Sequence, residues 1–214
     1  MRQSRKIRHQ VAPTFAFVVD GETEIWYLQM LKRNERHIRL NIKPEIPNKK
    51  SIEEQFSLVT NLSEREYSKV FWIIDLDAVI KESRETPKGK KTPLQVFIEF
   101  RKTIKRDFKN VIIITNNPCV EFWFLLHFEK TSKLFDTCGK AETQLKNHLK
   151  DYEKTQRYFT KQDNDIYLKL KPYLKTAISN SSDLGQFDLD EPTKAICEMH
   201  VLFQTDELKK HYEK

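Results

Sequence analysis

The sequence predicts an α/β fold: a mostly parallel four-stranded sheet flanked by helices and followed by a helical C-terminal region. Unbroken apolar runs at Phe15–Val19, Val70–Ile74 and Val111–Ile114 suit strands covered on both faces. Each run is followed by apolar residues at helical spacing, and such alternation implies parallel pairing with right-handed crossovers. Composition agrees, since charged residues make up 32% of the chain and only 4 of its 214 residues are glycine. That balance fits a helix-rich protein better than an all-β one.

Residues 1–13 open with MRQSRKIRHQ, which is basic without apolar periodicity and is expected to be a mobile arm. An α/β domain is expected over 14–132 and a helical extension over 133–214. Thr14–Val19 is the first strand, closed by the Asp20-Gly21 turn. Glu22 and Glu24 then occupy a helix's first turn, where the dipole favours anions, and Ile25, Tyr27, Leu28 and Leu31 give that helix an apolar face. Arg39–Lys43 alternates like an edge strand, ended by Pro44 and Pro47. Ser51 starts a helix that runs through Leu62, with Glu54 as capping-box partner.

After the Val70 strand, the lysine-rich stretch KESRETPKGKK, broken by Pro87 and Gly89, is expected to be a loop or a frayed helix end beside the strand's carboxyl edge. Pro93 suits the first turn of a helix whose Val96, Phe97, Phe100 and Ile104 face the core. Thr115–Pro118 ends the Val111 strand, and Cys119–Phe128 is a helix apolar nearly all round. Beyond Phe135 the strand signal fades. Ala141–Leu149, Asp163–Leu174 and Thr193–Phe203 read as three helices, with Asp188 and Asp190 capping the last.

The chain is organised around Val70–Asp77, an apolar strand ending in two carboxylates two positions apart. Period-two geometry points Asp75 and Asp77 the same way just past the strand's carboxyl end, where open α/β sheets place their ligands. Close carboxylates repel unless a cation lies between them, which predicts a hard divalent ion, Mg²⁺ or Mn²⁺, on oxygen ligands. The alternative is one loop cap and one solvated acid. Glu121 is a second anomaly: a carboxylate in so apolar a helix is costly unless paired, protonated or metal-bound. Its first-turn position lets it face the same crevice as Asp75, whereas His127, at i+6, is expected to be a hydrogen-bonded packing residue.

A net charge of +7 favours an anionic partner, nucleic acid first. Lys88, Lys90 and Lys91 could guide phosphates toward the metal. Tyr152, Tyr158, Tyr167 and Tyr173 interleave with Lys150, Lys154, Arg157, Lys161, Lys169 and Lys171, a mixture found on single-strand binding surfaces. Solvated lysine loops and tyrosines that anchor small helices are the alternatives. Cys119, Cys138 and Cys197 are odd in number and lack CxxC or Cys/His spacing, so they are expected to be reduced thiols in neither a disulfide framework nor a zinc site. No apolar run has membrane length and the basic amino terminus lacks a signal-type apolar stretch, so the expected compartment is the cytoplasm, away from any membrane.

Asp20-Gly21-Glu22-Thr23-Glu24, Asp75-Leu76-Asp77 and, most specifically, Asn117-Pro118-Cys119-Val120-Glu121-Phe122-Trp123-Phe124-Leu125-Leu126-His127-Phe128 together resemble the RloB-like proteins. That family in turn resembles the Toprim domains of topoisomerases, primases and OLD-type nucleases, with a metal-binding acidic cluster at the sheet's carboxyl edge. The resemblance implies a Mg²⁺- or Mn²⁺-dependent nuclease of bacterial restriction and abortive-infection loci, acting on RNA such as tRNA or on DNA. It also implies an ABC- or AAA-type ATPase partner, with a homo-oligomer possible. It makes Asp20, Glu24, Asp75, Asp77 and Glu121 the candidate catalytic residues, the first four as metal ligands. Lys88, Lys90, Lys91, Arg157 and Lys161 are the candidate nucleic-acid contacts. Toprim domains end their first strand in Glu-Gly where this chain has Asp20-Gly21, so either Glu24 supplies the main ligand or the site is altered. A non-catalytic sensor or binding subunit of a defence complex is the alternative.

Overall fold

The computed structural model describes residues 13–38, 41–45 and 51–212. The basic arm, the start of the second strand at Arg39 and Pro47 lie outside the described residues. Four strands, β1 (Thr14–Val18), β2 (Asn41–Glu45), β3 (Lys69–Asp75) and β4 (Val111–Asn117), pair in parallel in the order β2-β1-β3-β4. A fifth, β5 (Ile196–Cys197), adds antiparallel to β4 through Asn116 and Asn117. The sheet is thus five-stranded rather than four-stranded. β5 escapes sequence reading because two residues carry no periodicity.

The crossovers are α1 (Glu22–Asn34), α2 (Ile52–Ser63), α3 (Leu76–Glu85) and α4 (Pro93–Asp107). Two of them start on side-chain caps: Ser51 Oγ accepts from the Glu54 amide, and Thr92 with Gln95 forms a reciprocal capping box. Alternation along the strands divides the core in two. Phe15, Phe17, Phe71 and Ile73 pack on one face with α1, while Ala16, Val18, Val70, Trp72 and Ile74 pack on the other against α2, α3 and α4.

Three local expectations are corrected. Pro44 sits inside β2, opposite Phe17, instead of ending it, because an edge strand has a row of unpaired amides and loses nothing to proline. The segment after β3 begins at once as α3, and only the residues after Glu85 form the loop that carries Lys88, Lys90 and Lys91. At helical rise α3 is about 15 Å long, so the loop starts one helix length from the end of β3. The Thr193–Phe203 helix is replaced by β5 and the short α10 (His200–Phe203), and Asp188 closes a local turn by accepting from the Asp190 amide at 2.9 Å instead of capping a helix.

After α5 (Val120–Leu126) the chain builds α6 (Cys138–Leu145), α7 (Gln156–Phe159), α8 (Ile166–Leu170), α9 (Leu174–Asp183) and α11 (Asp206–Tyr212). Asn180–Asp183 is the last turn of α9. Side chains of this region, among them Phe135, Leu145, Phe159, Leu170 and Phe203, join the α1 face in one hydrophobic cluster. Tyr152 and Tyr167 are buried within it as anchors. Asp165 holds the region to α1: it caps α8 at the Leu168 amide and accepts from Arg33 at 2.7 Å and Asn34 at 2.9 Å.

The candidate metal centre at the carboxyl edge of the sheet

Parallel register brings the carboxyl ends of β1, β3 and β4 to one edge. Asp20 follows β1, Glu24 lies in the first turn of α1, Asp75 is the last residue of β3, and Glu121 lies in the first turn of α5. Asp20, Glu24 and Asp75 line a cavity of about 560 Å³ together with Trp26 and Lys154. Gly21 matters here for space. Its backbone is extended, but a Cβ at this position would come within 3.3 Å of a Glu24 carboxylate oxygen.

Each acid is held by named partners. Asp20 Oδ1 accepts from Gln55 Nε2 at 2.9 Å, and Gln55 Oε1 in turn accepts from the indole of buried Trp72 at 2.7 Å. Asp75 is buried; its Oδ1 accepts from Asn116 Nδ2 at 3.2 Å and its Oδ2 from the Val120 amide at the start of α5 at 3.1 Å. Glu24 is buried and lines the same cavity as Asp75. Glu121, with no exposed surface, accepts at Oε1 from Tyr152 Oη at 3.1 Å and from Lys154 Nζ at 2.7 Å, and its Oε2 lies 2.8 Å from Cys138 Sγ.

Burial, followed by repulsion from Glu121 and Asp20, pushes the Glu24 carboxyl up to about 7. Burial and then repulsion from Glu24, Asp20 and Glu121 push Asp75 well above the ordinary carboxylate range, against the Asn116 hydrogen bond. Acids crowded to this degree repel one another. Lys154 supplies a positive charge from outside the α/β region, and the donors that Asp20, Glu24 and Asp75 offer are all oxygens, the type that hard cations prefer.

Asp77 is not brought into this group. Because α3 starts at Leu76, period-two geometry ends at Asp75 and the next carboxylate turns aside. Asp77 lines a separate cavity with Arg84, Asn117 and Phe135, and its Oδ2 accepts from the Cys138 amide at 3.3 Å. Lys88, Lys90 and Lys91 are exposed on the loop beyond α3, with Lys91 ion-paired to Glu99; Arg157 and Lys161 are exposed in and after α7. His127 is buried, with Nδ1 2.9 Å from the Trp123 carbonyl, and burial pushes it down to about 3.

The cysteines correct the sequence reading. Cys119, the residue before α5, is disulfide-bonded to Cys138, the first residue of α6, with Cα atoms 5.6 Å apart; Cys197 is free and buried. Their 19-residue spacing belongs to no recognised pattern, and only the packing of α6 against α5 brings them together. Lys154 and Tyr152 were legible merely as members of a basic, aromatic stretch. Nothing local marks either as a partner of Glu121. Among the described residues no helix is long and apolar enough to cross a membrane. A family model described as RloB-like protein matches residues 15–205, and no curated protein or solved structure matches the chain.

Proposed function

The chain belongs to the RloB-like protein family, and from that membership and the acid cluster we propose that it is a metal-dependent nuclease. The observation that carries the reading is the convergence of Asp20, Glu24 and Asp75 on one cavity, two of them with raised proton affinity and Lys154 the cation beside them. Mg²⁺ or Mn²⁺, when bound, would polarise a phosphodiester and lower the pKa of an attacking water.

The protein's own groups divide the rest of the work. Asp20 and Asp75 are held by Gln55 and by Asn116 with the Val120 amide, so both carboxylates meet a cation with little reorganisation. Glu24, its proton affinity raised by burial and neighbouring acids, would release its proton if it bound the cation. Lys154, its side chain half exposed, neutralises Glu121 and can turn toward a non-bridging phosphate oxygen. Trp26, partly buried on Phe159, offers a ring beside the cavity on which an unpaired base can stack. We read the sheet as Toprim-like, and the chain as a cytoplasmic effector of anti-phage defence controlled by an ATPase partner; RNA such as tRNA, or DNA, is the substrate.

The test is incubation of purified protein, with and without the ATPase, on total RNA and on plasmid with Mg²⁺, Mn²⁺ or EDTA. Metal-dependent cleavage abolished by Asp75→Asn supports the reading; no cleavage under any condition rejects it. A second reading, a non-catalytic binding subunit, is favoured by two facts: Asp77 stands apart from the cluster, and Glu121 is already satisfied by Tyr152 and Lys154. It predicts no Mn²⁺ binding through the acids.

A further inference from the structure

Beside the oxygen cluster lies a second group of different chemistry. Cys119 Sγ, Cys138 Sγ and a Glu121 carboxylate oxygen all lie within 4.8 Å of one another. We propose that, once the disulfide is reduced, these three residues form a redox-gated site for Zn²⁺, and that the Cys119–Cys138 bridge is its closed form.

Geometry favours this. Tetrahedral zinc with Zn–S near 2.3 Å sets two thiolates about 3.7 Å apart. Two sulfurs whose bond has broken are pushed to nearly that separation by non-bonded contact alone, and the Cα spacing of 5.6 Å accommodates it by side-chain rotation. Glu121 is oriented for the purpose: Tyr152 and Lys154 occupy Oε1, so Oε2 faces the sulfurs, 2.8 Å from Cys138 Sγ. A bridged sulfur has no proton to donate, so Oε2 finds a true partner there only after the bridge opens. Cys138 is only partly buried, which leaves a path for the ion and an open fourth position.

Charge and softness agree. Two thiolates and a carboxylate carry three negative charges, which Zn²⁺ and the Lys154 ammonium, 3.9 Å from Cys138 Sγ, balance. Thiolates select zinc over magnesium, so the two neighbouring sites need not compete for the same metal. Opening the site takes two electrons and two protons from a dithiol reductant, which becomes a disulfide; the S–S bond breaks and each sulfur takes one proton. Zinc binding then releases both protons to solvent. If the nuclease reading holds, zinc would also withdraw Glu121 from the neighbouring cluster and slow cleavage; this consequence alone rests on that reading.

The experiment counts zinc on the full chain after chelator treatment, in reduced and oxidised forms, by native mass spectrometry, with Co²⁺ as a spectroscopic substitute. The expected result is one zinc more per reduced chain than per oxidised chain, and a thiolate-to-cobalt charge-transfer band only in the reduced form. Cys119→Ser with Cys138→Ser should lower the affinity by ~100-fold or more. The oxidised wild-type chain gives the same contrast without any substitution, should the double variant not fold. A reduced chain that binds no more zinc than the oxidised one, or a folded double variant that binds it equally well with the same cobalt charge-transfer band, overturns the site. A chain that binds zinc but never cleaves leaves the site standing and rejects the nuclease instead.

Discussion

Asp75 and Asp77 are separated by one residue and by a change of backbone, and the change decides their roles. Asp75→Asn keeps the Val120 contact region filled but removes a charge from the cluster; Mn²⁺ affinity should fall ~100-fold or more, with metal-dependent cleavage lost and circular dichroism unchanged. Asp77→Asn should weaken only its contacts with the Cys138 and Ala78 amides, a change of about 1 kcal/mol in urea unfolding, with cleavage retained. Loss of cleavage in Asp77→Asn and not in Asp75→Asn would place the metal elsewhere. Glu24 gives a pH signature. Its folded carboxyl titrates near 7 against an ordinary 4.5, so the native state holds a proton that the unfolded chain has released. The resulting stability is fully present below about pH 4.5 and is lost as pH rises through 7, on the order of 3 kcal/mol. Metal-free protein should therefore melt lower at pH 8 than at pH 6, Glu24→Gln should flatten that slope, and Mn²⁺ should raise the melting temperature most at the higher pH.

At the scale of elements, the joint between α1 and α8 is the one whose loss should be felt most. Asp165 has no exposed side-chain surface, while Arg33 is about one-third exposed, so the pair is only partly screened. Asp165→Ala removes a helix cap, an ion pair and the partner of Asn34 together. It should cost about 2–4 kcal/mol in chemical denaturation. A loss under 0.5 kcal/mol would mean that α8 docks through its apolar face alone. Ser51→Ala, by contrast, removes a single exposed cap of α2 and should cost about 1 kcal/mol.

For the whole molecule, the shared cluster on the α1 face predicts that the α/β region does not stand alone. A chain ending at Ser132 would expose Tyr27, Trp123 and Phe124 to water, since the residues that cover them, Phe159, Tyr167 and Phe203 included, follow that point. It should be insoluble or bind hydrophobic dye without a cooperative melt; a sharp two-state transition would show two independent units. The net charge of +7 predicts that nucleic-acid binding is salt-sensitive. With roughly five phosphate contacts, log K against log salt should have a slope near −4.5, measured by fluorescence anisotropy. A flat dependence points to a protein partner instead.

The sequence by itself determined the strand–helix alternation and the parallel central strands, because apolar runs and turn dipeptides are local signals; a misplaced charge singled out Glu121, whereas the choice of Asp20 and Glu24 as site candidates rests on the family resemblance. It also placed Lys154 and Tyr152 in a basic, aromatic stretch without a task. Only the tertiary structure decided that Lys154, Tyr152 and Cys138 close around Glu121, that Asp77 turns away, and that Cys119 meets Cys138. Those outcomes depend on how α6 and the chain after it settle against α5. Such packing is set by the sum of many apolar contacts between distant segments, and no single stretch of residues carries its signature.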